Sequence, residues 1–292
     1  MFTGTYTAVV TPFKNGQIDE PALARLIKMQ IKGGVDGIVP VGTTGESPTV
    51  DYDEHIQIIT LAVKYAAGRI KVLAGTGGNS TSEAIYLTQA AEKAGADGSL
   101  QVAPYYNKPT PEGLYQHFRA IAQNTKLPIV LYSIPGRCGI EIGVDVVKRL
   151  ATDFKNIIGI KEAGGSCDRV SQLRAALGPK FTILSGDDSL TLPFMAVGAH
   201  GVISVASNVI PKEVAQMVNY FARGEAKTAL AIHTKFYPLF KDLFLETNPT
   251  PVKAALAMMK LIDEEYRLPL VKLSPKNWET LRTTLKRCAV LE

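Results

Sequence analysis

The segment Ile157-Ile158-Gly159-Ile160-Lys161-Glu162-Ala163-Gly164-Gly165 is an apolar run that stops abruptly at a lysine and opens into a glycine turn. It reads as a short strand. An ammonium group prefers water, so a lysine in this place either escapes the strand end and snorkels into solvent, or gives up its proton. The second outcome makes a nucleophile, because an ordinary lysine titrates near about 10.4 whereas a desolvated one falls to about 7–8 and attacks carbonyls.

Working outward, the chain repeats this pattern. Eight short runs rich in Val and Ile occur: 8–10, 37–41, 70–74, 99–103, 128–132, 157–161, 181–185 and 201–205. Segments of helical period separate them at intervals of roughly 20–30 residues, the rhythm of βα units. Leu23, Leu26, Ile27 and Ile31 mark one such face; Leu114, Phe118, Ile121 and Ala122 mark another, and Val214, Met217, Val218 and Phe221 a third. Pro21 and Pro211 suit first helical turns, while Ser80 to Glu83 and Asp51 to Glu54 read as capping boxes. The expected class is α/β, a (β/α)8 TIM barrel over residues 1–224, and this architecture commonly takes about 250 residues. A doubly wound sheet is the runner-up, but no GxGxxG follows the first strand; Gly75-Thr76-Gly77-Gly78 lacks the spacing. From 225 to 292 only helical periods remain, which predicts a C-terminal helical appendage packed on the barrel or on a neighbouring subunit.

Composition narrows the function. The 292 residues are 46% hydrophobic, enough for a large core. Thirty-two basic and 27 acidic residues give a net charge of +5, scattered without a basic block, so nucleic acid is not expected as a partner. The opening MFTGTYTAVVTPF has no signal-peptide pattern and no later apolar run reaches membrane-spanning length, so a soluble, cytoplasmic protein without membrane partners is expected. Cys138, Cys167 and Cys288 are widely separated and read as free thiols. The four histidines are dispersed, which argues against a metal enzyme.

In a barrel of this kind the site lies where the strands end. Those ends are polar: Gly42-Thr43-Thr44-Gly45-Glu46-Ser47, Pro104-Tyr105-Tyr106-Asn107, Tyr132 followed by Arg137, Lys161, and Gly186-Asp187-Asp188. With no metal constellation, phosphate loop or Ser-His-Asp set, the reactive group left is an amine, and amines catalyse through Schiff bases. An imine with a 2-oxo acid gives an enamine that attacks an aldehyde, hydroxyl groups moving the protons. The GTTG turn suits a carboxylate, through converging N–H groups and threonine hydroxyls. Arg137 offers a planar fork for a second carboxylate, or else pairs with a surface carboxylate. Tyr132 either reaches the imine or is a barrel-core aromatic; Tyr105 and Tyr106 either turn inward or are ordinary loop residues.

These motifs, with AGTGGNS at 74–80, PYYNKP at 104–109, LYSIPGR at 131–137, LSGDD at 184–188 and GVISV at 201–205, resemble over the whole chain the 4-hydroxy-tetrahydrodipicolinate synthase family of the N-acetylneuraminate lyase superfamily. The resemblance implies that Lys161 forms the Schiff base with pyruvate and that Tyr132 exchanges protons beside it. Thr43 and Tyr106 would complete the relay, Tyr106 coming from a neighbouring subunit. It implies further that Thr44 and the backbone at Ile203 hold the pyruvate carboxylate near Gly186, that Arg137 binds L-aspartate 4-semialdehyde, and that no cofactor is used beyond the covalent pyruvate imine. An inhibitory L-lysine site is implied at Ser47, His55, Asn79, Glu83 and Tyr105, although Pro48 and Tyr52 stand where lysine-sensitive members carry alanine and histidine. A homotetramer built as a dimer of dimers is the expected assembly. Sister aldolases acting on sugar acids or sialic acid usually lack the arginine; a barrel that binds without turnover is the rival from another class.

Overall fold

The computed structural model describes residues 2–292; Met1, the first residue of the MFTG opening, lies outside them. Eight parallel strands close into a barrel: β1 (Gly4–Ala8), β2 (Gly37–Val39), β3 (Lys71–Gly75), β4 (Gly98–Val102), β5 (Ile129–Ser133), β6 (Ile157–Glu162), β7 (Thr182–Ser185) and β8 (Gly201–Ser204). Each strand bonds to the next and β8 returns to β1, so the expected TIM barrel is the observed one.

A helix follows each strand: Glu20–Gly33, Tyr52–Ala66, Thr81–Ala94, Pro111–Gln123, Val144–Asp153, Cys167–Leu177, Thr191–Ala196 and Pro211–Ala222. Their apolar stripes seal the outside of the sheet. Leu23, Leu26 and Ile27, for example, are buried in the same apolar layer as Ile38 of the neighbouring strand, and burying each such side chain is worth about 1.5–3 kcal/mol. Asp51 and Glu54 form the expected capping box. Ser80 does not: its side chain makes no cap bond and its hydroxyl pairs with that of Ser82.

Two further features depart from the expected pattern. The first strand is Gly4–Ala8, not 8–10. Its inward residue Tyr6 is flanked by Thr5 and Thr7, which point out to the helices, and the Thr7 hydroxyl donates to Gln30 Oε1 at 2.7 Å. Buried but polar, the threonines break the apolar run. The second is a small hairpin, Phe13–Lys14 with Gln17–Ile18, turned by Asn15 and Gly16 at φ 51 and 78, the left-handed pair that a two-residue hairpin requires.

The bottom of the barrel is closed. Phe2 and Tyr6 pack edge to face at 5.7 Å, and glycines at two strand starts make room for them. A Cβ on Gly37 would stand 2.3 Å from the Tyr6 ring, and one on Gly98 2.5 Å from the Phe2 ring. Above the plug lie Leu73, Leu100, Val130, Leu184 and Ile203. Polar chemistry is thereby confined to the upper end.

The C-terminal region folds as helices Ala226–Asp242, Thr250–Met258 and Pro275–Arg287. It reaches back to the barrel: Asn248 bonds to Thr44, Lys253 to Glu46, and Arg267 to Glu54. The three cysteines are free. Among the described residues no helix is long and apolar enough to cross a membrane, and no group of three or more His, Cys, Asp or Glu side chains gathers as a metal site.

Candidate active site

Alternation along a strand decides which side chains face the barrel interior. On β5, Ile129 and Leu131 face the helices while Val130 and Tyr132 face in; on β6, Ile160 and Glu162 face out and Lys161 faces in. Tyr132 and Lys161 are register partners across the β5–β6 ladder. The lysine Nζ consequently lies 4.1 Å from the centre of the tyrosine ring. Glu162 anchors the strand from behind, accepting from Arg169 Nε at 2.7 Å and from Gly164 N at 2.6 Å.

Lys161 opens into a cavity of about 260 Å³ at the upper end of the barrel. Only 7% of the residue is exposed. Burial brings its pKa down from 10.5 to about 7; Arg137 adds to the fall and the carboxylate of Asp188 opposes it. The snorkelling alternative therefore does not apply, and near neutral pH a large part of this amine is unprotonated. Asp188 is buried too, and burial raises it to about 6 against the pull of its bonds from the Ser204 hydroxyl and from Ala206 N and Val205 N at 2.9 and 3.0 Å. Gly186 completes the lysine's channel: a Cβ there would stand 3.0 Å from Lys161 Cε and 2.6 Å from Ala163 Cβ.

The Tyr132 phenol is pushed well above its usual range by burial, with Arg137 and the Thr43 hydroxyl pulling the other way. It stays protonated at neutral pH and can give and retake a proton. Thr43 and Thr44 sit in a single 3-10 turn, Thr43–Gly45, and both line the cavity. Thr44 is held by Asn248 Nδ2, which donates to its hydroxyl at 3.0 Å. Arg137 stands at the exposed mouth and donates through Nη2 to Asn248 O at 3.0 Å.

Other named positions lie differently. Tyr106 is 90% exposed, at φ 72, and within one chain it does not reach the cavity. The Ile203 side chain belongs to the barrel interior, and two residues later Val205 lines the cavity. Of the five positions assigned to an effector, Ser47 and Tyr105 form part of the same cavity wall. His55 is buried with Nε2 2.7 Å from Gly75 O, and burial lowers its pKa. Asn79 donates to Tyr105 O at 3.2 Å, and the Glu83 charge is felt at Tyr105. Glu83 makes no capping box with Ser80 and is the acidic residue of that helix's first turn.

Asn248, Phe244 and Cys138 also line the cavity, and none was singled out as a site residue from sequence. Cys138 donates to Ala103 O at 3.3 Å, and burial raises its thiol to about 11, so it is an inert wall. The only local signal for Asn248 was the Asn-Pro turn in an otherwise helical region.

A closed barrel with an inward, deprotonatable lysine beside a phenol and paired threonines defines a TIM-barrel enzyme whose site is built around an amine. The dihydrodipicolinate synthetase family model matches residues 1–288, and the chain belongs to that family, whose members are lyases of lysine and diaminopimelate biosynthesis. A 4-hydroxy-tetrahydrodipicolinate synthase of Persephonella marina is 54% identical over 287 residues, covering 98% of each chain. The solved structure of the synthase from Methylacidiphilum fumariolicum has TM-score 0.98 and 59% identity, covering 99% of this chain and 96% of that one. Two further structures carry ligands. The Acinetobacter baumannii enzyme is complexed with pyruvate (44% identity, TM-score 0.97, 100% of each chain), and the Cyanidioschyzon merolae enzyme has lysine bound (40%, 0.97, 99% of each chain).

Proposed function

We propose that this chain condenses pyruvate with L-aspartate 4-semialdehyde to give 4-hydroxy-tetrahydrodipicolinate through a covalent intermediate on Lys161. The observation that carries the reading is the buried Lys161 amine, brought to about 7, beside the Tyr132 phenol. The neutral amine adds to the pyruvate ketone and expels water, forming an imine; loss of a methyl proton gives the enamine. The enamine carbon bonds to the aldehyde, whose oxygen takes a proton from the Tyr132–Thr43 relay. The aldehyde substrate's own amine then attacks the imine carbon and displaces Lys161 Nζ, closing the ring. One water is lost overall.

Thr44 and the N–H groups of its turn receive the pyruvate carboxylate, with Gly186 and the backbone at Ile203 nearby, and Arg137 at the mouth receives the carboxylate of the semialdehyde. The exposed Tyr106 enters the relay of a neighbouring subunit in a homotetramer. L-lysine binds at Ser47, His55, Asn79, Glu83 and Tyr105 and inhibits; the lysine-bound relative from Cyanidioschyzon merolae and the shared wall at Ser47 and Tyr105 support this. The reaction takes place in the cytoplasm and needs no added cofactor.

The test is a coupled assay in which the cyclic product is reduced by a partner reductase with NADPH, run with and without L-lysine. Turnover that requires both substrates supports the reading. Silence with the semialdehyde and turnover with a sugar-acid aldehyde would move the chain to a sister aldolase.

A further inference from the structure

We propose that the buried ion pair Glu46–Lys253 is a positioning device for the Thr43-Thr44 turn, tying it to the C-terminal helices; the proposal rests on the function assigned above. Both side chains are 0% exposed and the lysine donates to the carboxylate. Lys253 Nζ also lies 4.5 Å from the centre of the Phe13 ring, and Arg267 N donates to the second carboxylate oxygen at 3.3 Å. Glu46 is the residue that ends the Thr43–Gly45 turn, and it does so at φ 57. This left-handed conformation is disfavoured for a residue with a Cβ and persists where the surroundings hold it.

Three consecutive residues of the turn are tied down. Thr44 accepts from Asn248, Gly45 O accepts from the Thr11 hydroxyl at 2.7 Å, and Glu46 pairs with Lys253. Asn248 and Lys253 flank the start of one helix, Thr250–Met258, so the turn and that helix are joined at two points. A buried ion pair is a poor source of net stability, since an apolar pair of the same volume serves as well or better. What it supplies is a fixed place: a buried charge has one low-energy position, opposite its partner. Here that place sets where the Thr43 and Thr44 hydroxyls stand relative to Tyr132 and Lys161.

The double variant Glu46→Gln with Lys253→Met keeps both volumes and removes both charges. In the full chain it is expected to fold, with a melting temperature close to the parent's. Amide exchange over residues 42–47 should accelerate about tenfold or more. The pyruvate KM should rise about fivefold or more as the Thr44 turn loosens, and kcat should fall with it because the Thr43 hydroxyl of the relay is displaced too. Exchange and KM both within about twofold of the parent would overturn the proposal. So would a change in only one of the two, or loss of the fold, which would assign the pair to the scaffold. If the parent itself shows no turnover with pyruvate, the assigned function fails, and the exchange measurement alone decides whether the pair holds the turn.

Discussion

Replacing Lys161 by methionine should abolish activity and make the protein more stable. The side chain is buried, and its pKa falls from 10.5 to about 7 because the ammonium form is desolvated. That gap, at roughly 1.4 kcal/mol per pH unit, means that folding loses about 4–5 kcal/mol at pH 7 to hold this amine where it is. The attraction of Asp188 is already included. Methionine fills nearly the same volume without a charge, so the variant should recover most of that energy. The folded state binds fewer protons than the unfolded chain between the two pKa values, so the lysine's cost is full below pH 7, shrinks as pH rises, and vanishes above about 10.5. Urea midpoints of parent and variant at pH 6, 8 and 10 are the assay: the variant's lead should be largest at pH 6 and nearly gone at pH 10. A variant that is less stable than the parent, or whose lead is the same at every pH, would refute the reasoning.

Three further outcomes follow from the geometry. Gly186→Ala places a methyl 3.0 Å from Lys161 Cε and 2.6 Å from Ala163 Cβ, so the strand end must shift to admit it; turnover should fall about ten- to a hundredfold, since misplacement of a reacting group by about 1 Å costs the larger figure, and the urea midpoint should fall as well. Equal turnover would show that the lysine does not need the channel. Tyr132→Phe keeps the ring beside Lys161 and removes the phenol proton, so kcat should drop about 10²–10⁴-fold while borohydride still traps pyruvate; an unchanged kcat removes the phenol from the relay. Arg137→Ala should leave the pyruvate KM intact and raise the semialdehyde KM, and the opposite pattern would exchange the two carboxylate assignments.

The parts of the molecule legible in the sequence are those governed by burial on both faces. Parallel barrel strands covered by helices are continuous apolar runs, and β6, which carries Lys161, is the clearest of them. β1 was displaced because Thr5 and Thr7 are buried between sheet and helix, where the Thr7 hydroxyl donates to Gln30 and the Thr5 hydroxyl has no partner, and no hydropathy pattern reveals such burial. The strand-end rule named Thr43, Thr44, Tyr132, Lys161 and Gly186, and all five line one cavity, since they sit on or just after strands whose order is sequential. Asn248 and Lys253 were invisible to it. Their partners Thr44 and Glu46 lie more than two hundred residues away in the chain, and such contacts exist only once the barrel has closed. The left-handed backbone at Glu46 was equally hidden, because nothing local favours it over glycine.

The central claim is that the Lys161 amine is the nucleophile. Incubation with pyruvate followed by borohydride and peptide mass mapping tests it most directly. The account predicts a single reduced pyruvate adduct on the peptide carrying Lys161, with a yield that falls as pH drops below about 7, the value to which burial brings this amine. An adduct on another lysine, or none at any pH, would contradict it.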